Sequence, residues 1–142
     1  MKSLKLNDIF FLLIRITIGI VFIQSGWGKI HNIEKVIGYF TELKIPLPIF
    51  SAHLTAWTEL IAGLFIFVGF FTKISSISIF IVMFVAILTT QIANLENWSD
   101  ILGTIEFLYA LLCLGLILIG AEKLSVDQLI KTNTKHSIFH LL

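Results

Sequence analysis

The chain has 142 residues, of which 57% are hydrophobic and 13% charged, against roughly 25% charged residues in a soluble domain. This deficit predicts that most of the surface faces lipid, and the length fits one domain. A formal net charge of +1 gives no electrostatic basis for binding nucleic acid. Cys113 is the one cysteine, which excludes an internal disulfide or C-x-x-C redox pair and favours a small buried residue.

Four segments are long and apolar enough to cross a bilayer, which requires about 20 residues each. They are approximately residues 9–29, 50–71, 74–93 and 101–120. Residues 32–44 carry an apolar stripe, which predicts a short amphipathic helix at the membrane interface. Residues 121–142 form a polar tail, in which Ser125 is the expected N-cap of a short helix. The sequence therefore predicts a single-domain all-α membrane protein, a four-transmembrane-helix antiparallel bundle with an interfacial helix in the first loop.

Lysines in the loops predict the orientation, because positive charge concentrates on the cytoplasmic side of a membrane. One end of the bundle would carry Lys2, Lys5, Lys73, Lys123, Lys131 and Lys135. The other end would carry Lys29, Lys35 and Lys44. Both termini are therefore expected in the cytoplasm.

Three ionisable residues, Arg15, Glu59 and Glu106, lie inside predicted crossings. Each costs at least ~2.5–3.5 kcal/mol to insert and needs a partner or water. The simplest pairing is Arg15 with Glu59, although helical side chains lean toward the N-terminus of their helix and this moves the two heads apart. Membrane helices pack through small residues, so the first helix is expected to face the second through Arg15, Gly19, Phe22 and Gly26.

Polar residues collect in the half of the bundle that is predicted to face outward. They are Gln24, Lys29, His31, His53, Glu59, Gln91, Asn94 and Glu106. Two interpretations stay open: a water-accessible pocket that opens outward between the helices, or groups that satisfy one another and fix the helix register. The spacing of His31 and His53 does not support a metal site, and no nucleophile–base arrangement is present. No catalytic residue and no metal ligand is assigned.

Three short motifs resemble those of a known family. LIRITIGIVFIQSGWGKI, residues 13–30, is similar to the pattern R-L-x-x-G-x-x-F-x-x-x-G-x-x-K-L that opens DoxX-like membrane proteins. The matching positions are Arg15, Gly19, Phe22, Gly26 and Lys29.

The second and third motifs follow in the order that this family has. IPLP and AWTELIAGLFIFVGFFTK resemble G-x-P-x-P and A-x-x-E-x-x-x-G-x-x-L-x-x-G-x-x-T-R, with matches at Glu59, Gly63, Gly69, Thr72 and Lys73. GAEKLSVD resembles G-x-G-x-x-S-x-D, with matches at Gly120, Ser125 and Asp127. Glu122 departs from a glycine in that pattern, and Gln91 stands where many relatives carry a histidine.

The resemblance covers about residues 9–130 and implies a four-helix protein of the bacterial inner membrane. The family name derives from subunits associated with thiosulfate:quinone oxidoreductase. The resemblance therefore favours a small subunit of a membrane redox system that binds a quinone or another apolar small molecule. The candidate binding residues are Arg15, Gln24, Lys29, His53, Glu59, Gln91 and Glu106.

The sequence shows no haem ligand pair, iron–sulfur cysteines or flavin motif, so electrons would come from a redox partner protein or a bound quinone. Whether the chain is itself an enzyme therefore stays open. One alternative is a transporter for a small solute or proton. Four helices without a repeat make a small transporter, so this alternative implies a homo-oligomer. The other is a membrane scaffold for partner enzymes.

Overall fold

The computed structural model describes residues 6–91, 99–120 and 125–130, and this part of the chain is built of helices. The elements in chain order are α1 (Leu6–His31), α2 (Ile33–Glu42), α3 (Pro48–Val68), α4 (Thr72–Ala86), a π-helical turn (Ile87–Gln91), α5 (Ser99–Leu102) and α6 (Ile105–Ile119), with a last helical turn at 126–130. The predicted all-α class is confirmed.

Three helical stretches are long and apolar enough to cross a membrane: Asp8–His31, Pro48–Val68 and Thr72–Thr90. They correspond to the first three predicted crossings. The fourth differs from the prediction, because residues 101–120 do not form one helix and α6 has only 15 residues. The break has a local cause in Thr104, whose hydroxyl donates to the Ile101 carbonyl and accepts from the Phe107 N–H, so that it caps α6.

α1 packs against α3 through glycines. A Cβ built on Gly26 would lie 2.5 Å from the backbone nitrogen of Leu60, and one built on Gly19 would lie 2.7 Å from the Phe67 Cβ. The later glycine of α1 contacts the earlier residue of α3, so α1 and α3 are antiparallel. Such close approach is how helices associate in lipid, where no hydrophobic effect draws them together. The predicted packing of the first helix on the second through its glycine face is confirmed.

The apolar core is shared by four helices, since α1, α3, α4 and α6 all contribute buried side chains to it. Its members are Ile18, Phe22, Ala62, Ile66, Ile79, Met83, Ala110, Cys113 and Leu116. Cys113 is completely buried, as expected of a small core residue. None of the residues of α2 is buried, so this short helix lies on the periphery of the bundle.

The turn at 69–71 joins α3 and α4 through three residues and makes them an antiparallel hairpin. Gly69 ends α3 in a left-handed conformation, with φ of 76°, and its N–H bonds to the carbonyls of Phe65 and Ile66. At the other end of α3, Pro48 occupies the first turn, where its missing N–H costs no hydrogen bond.

Candidate functional site

An ion pair between α1 and α3 lies at the centre of the candidate site. The Lys29 Nζ donates to both carboxylate oxygens of Glu59 and to the hydroxyl of Ser25, the latter at 3.2 Å. The Glu59 side chain is 0% exposed, whereas that of Lys29 is 28% exposed. A buried carboxylate requires a compensating charge, which Lys29 supplies. The ammonium is therefore the member of the pair that another molecule can reach.

The predicted pairing of Arg15 with Glu59 is wrong, and the antiparallel register explains why. Gly19 lies beside Phe67, so Arg15 and Glu59 are about 18 Å apart along the helix axes at 1.5 Å per residue. Helical side chains lean toward the N-terminus of their own helix. In antiparallel helices this lean carries the head of Arg15 away from Glu59 and brings Lys29 and Glu59 together.

A cavity of about 900 Å³ lies beside this ion pair. α1, α3, α4, α6 and the π-helical turn all line it, and α2 contributes a further wall. Most of the lining side chains are apolar, and the charged ones are Lys29, Lys35, Glu59 and Glu106. A largely apolar cavity of this size with a few polar groups is typical of a site for a small organic molecule.

Three of the predicted binding residues meet at this cavity, namely Lys29, Glu59 and Glu106. Gln24 and His53 are exposed on the outsides of α1 and α3 and do not line it. The side chain of Gln91 lies outside the described residues. The cavity is therefore more apolar than the predicted pocket.

The amphipathic helix α2 has a second role that its sequence pattern did not reveal. It was expected to lie along the membrane surface, and its residues Val36, Tyr39 and Phe40 also line the cavity. The apolar stripe was visible in the sequence, but such a stripe packs equally well on lipid or on protein.

Tyr109 is a cavity residue that was not predicted from the sequence. It lines the cavity one helical turn from Glu106, and its ring packs edge-on against Phe22 with centroids 5.4 Å apart. Its spacing from Glu106 could have indicated this position, because residues three apart share a helix face.

Arg15 belongs to a separate cluster at the opposite end of the bundle. A Cβ built on Gly69 would lie 2.7 Å from the Arg15 Nη1 and 2.7 Å from the Ser125 Cβ, so the guanidinium packs against the α3–α4 turn. Asp127 attracts this guanidinium electrostatically. Ser125 caps the last helical turn, as predicted, by accepting from the N–H of Gln128 at 3.2 Å.

Asp127 holds the start of α4 across a gap of 55 residues in sequence. Its carboxylate accepts from the N–H of Phe71 at 2.9 Å and the N–H of Thr72 at 3.2 Å. The Asp127 N–H donates in return to the Gly69 carbonyl at 3.0 Å. The third motif of the sequence therefore ties the end of the described chain to the α3–α4 turn.

Replacing Asp127 with alanine is expected to lower the free energy of unfolding by about 1–2 kcal/mol, because it removes a helix cap together with the charge beside Arg15. Thermal unfolding in detergent micelles, followed by circular dichroism, measures the change. Leu129→Ala is the matched control, since the Leu129 side chain is 66% exposed. Equal losses in the two variants would contradict the capping role.

The fold and the site together define a multi-helix membrane protein whose helices enclose an ion pair and an apolar cavity. The chain belongs to the DoxX family. A family model described as DoxX matches residues 10–92. A protein of Bacillus subtilis (strain 168) named "Putative oxidoreductase CatD" is 32% identical over 127 residues, which cover 88% of this chain and 90% of that protein. No solved structure matches the chain significantly.

Proposed function

We propose that this protein is a small subunit of a membrane redox system and binds a quinone or another apolar small molecule in the cavity beside Lys29 and Glu59. The observation that carries the proposal is the cavity of about 900 Å³ itself, with its apolar lining and partly exposed ammonium. A quinone matches these features, because its carbonyl oxygens accept hydrogen bonds and its ring is apolar. The B. subtilis relative, named as an oxidoreductase, supports a redox role.

The Lys29–Glu59 pair gives such a ligand a defined point of attachment. The ammonium has three donors, and Glu59 and Ser25 hold it in place on one side. These contacts occupy all three donors, so a bound carbonyl oxygen would accept from the ammonium in place of the Ser25 hydroxyl. Glu106 and Tyr109 supply further hydrogen-bonding groups on the facing helix α6.

The proposed setting is the bacterial inner membrane, with four crossings and both termini in the cytoplasm. The fourth crossing would combine α5 and α6, since α6 alone spans only about 22 Å of a hydrocarbon core of about 30 Å. The excess of lysines at the terminal end supports this orientation. Electrons would reach the bound quinone from a partner protein, which makes the chain a subunit rather than a complete enzyme.

Binding of a quinone to the purified protein tests the proposal. Thr58 lines the cavity, and Thr58→Trp is expected to weaken the affinity for a short-tailed benzoquinone or naphthoquinone at least about tenfold, because the indole would occupy ligand space. Isothermal titration calorimetry in detergent micelles measures this affinity.

The matched control is Thr17→Trp, since Thr17 is exposed on α1 and does not line the cavity. This variant is expected to bind as the wild type does, and circular dichroism verifies the fold of both variants. A wild-type protein that binds neither quinone, or equal affinities for the two variants, would overturn the proposal.

A further inference from the structure

The cavity changes from buried to exposed along its length. At its inner end, Phe22 and Glu59 are almost completely buried. At its rim, the apolar side chains of Leu54 and Ile81 are each 55% exposed, and Val85 is exposed beside them. The cavity is therefore open at this rim, which large aliphatic side chains form, and it is also exposed at Lys35 and Tyr39 of α2.

The α3–α4 hairpin places these rim residues together. Leu54 and the residue following Val85 lie equally far from the middle of the turn at 69–71, so Leu54 and Val85 are at about the same level on neighbouring antiparallel helices. Ile81 precedes Val85 by one helical turn, so it lies closer to the turn at 69–71 and on the same face of α4. The opening therefore lies between α3 and α4.

The depth of the opening decides what it faces. Ile81 is at the middle of the apolar stretch Thr72–Thr90, which is long enough to cross the membrane. An exposed side chain at the middle of a crossing contacts the hydrocarbon of the bilayer, where water is absent. The rim at Ile81 therefore opens to lipid.

The ion pair lies on the α1 side of the same cavity. Lys29 is in the last turn of α1, and the apolar face of α2 covers the cavity there. Glu59, which holds Lys29, and Ile81 lie equally far from the middle of the turn at 69–71, so the ion pair and the rim at Ile81 are at about the same level. A molecule that fills the cavity therefore meets hydrogen-bond donors on the α1 side and hydrocarbon on the side between α3 and α4.

We propose that the cavity takes an amphiphile from within the bilayer, laterally between α3 and α4. Its oxygen-bearing headgroup binds at Lys29, and its aliphatic tail leaves past Leu54, Ile81 and Val85. The inference rests on the proposed function and narrows its ligand class. The ligand is a tailed molecule dissolved in the membrane.

Two quinones with the same headgroup, one without a tail and one with a long isoprenoid tail, test this inference on protein reconstituted in lipid nanodiscs. Ile81→Trp is expected to weaken the equilibrium binding of the tailed quinone at least about tenfold, because the indole would occupy the path of the tail. Binding of the tail-less quinone, which has no tail to pass the rim, is expected to be unchanged. Val85→Trp, a second change at an exposed rim position, is expected to act in the same way.

Ile77→Trp is the matched control, because Ile77 is one turn from Ile81 on the same helix and is exposed without lining the cavity. It is expected to leave the binding of both quinones unchanged. If the wild type binds the tail-less quinone but both rim variants bind the tailed quinone as the control does, the lateral opening is refuted and the proposed function stands. If the wild type binds neither quinone, the proposed function itself is refuted.

Discussion

Replacing Lys29 with methionine is expected to lower the free energy of unfolding by about 3–5 kcal/mol, because it leaves the fully buried Glu59 carboxylate without its compensating charge. Methionine keeps the unbranched apolar stem of lysine, so lost packing contributes little to this effect. Titration with sodium dodecyl sulfate in mixed micelles, followed by circular dichroism, measures the change.

The double variant Lys29→Met with Glu59→Leu separates the charge from the packing. Replacing both members of a buried ion pair with apolar residues of similar volume is often neutral or stabilising, so the double variant is expected to recover most of the lost stability. Lys35→Met is the control, since Lys35 is an exposed lysine that also lines the cavity. A double variant less stable than Lys29→Met would contradict the pairing.

The same double variant shows what the ion pair does besides hold two helices together. With both charges removed and the fold retained, the cavity keeps its apolar lining but loses the ammonium at its inner end. If the pair anchors a quinone headgroup, the double variant binds a tail-less quinone more weakly than the wild type. Equal binding would mean that the pair serves the structure alone.

Helix content and the glycine contacts were predictable because they depend on local patterns. Apolar runs of about 20 residues indicated the first three crossings, and three helices that are long and apolar enough to cross a membrane lie at these positions. Gly19 and Gly26 lie on one face of the first helix at helical spacing, which indicated where α3 would approach. The break before α6 was missed because Thr104, its N-cap, lies within a run that is apolar enough on average to indicate a single crossing.

The partners of the charged residues could not be predicted from either helix alone. Which carboxylate a lysine or arginine meets depends on the register between α1 and α3, which is fixed by backbone contacts at Gly19 and Gly26. The lean of side chains toward the N-terminus already argued against Arg15–Glu59, and the same rule applied to Lys29 favours the pair that exists.

The hydrogen-bond partners of Asp127 also could not be predicted from the sequence around it. The motif that contains it is readable in the sequence, and Ser125 could be assigned as a cap from its neighbours alone. The groups that Asp127 holds are the N–H donors at the start of α4, which are 55 and 56 residues away. Only the folded chain brings them together.

Replacing Gly26 with alanine is expected to lower the free energy of unfolding by about 1–3 kcal/mol, because α1 and α3 touch there through their backbones. The added Cβ would lie 2.5 Å from the Leu60 nitrogen and 2.8 Å from the Ala56 carbonyl oxygen. A backbone cannot rotate aside as a flexible side chain does, so the helices must separate. Gly26 is one turn from Lys29, and the separation is therefore also expected to loosen the ion pair with Glu59.

Gly28→Ala is the matched control for Gly26→Ala, because it makes the same chemical change two residues away on the same helix. A Cβ built on Gly28 has no heavy atom within 4 Å, and alanine is a better helix former than glycine. This variant is expected to be as stable as the wild type or more stable by up to about 1 kcal/mol, in the same detergent titration. Similar losses from both glycine substitutions would mean that the backbone contact between α1 and α3 does not determine their separation.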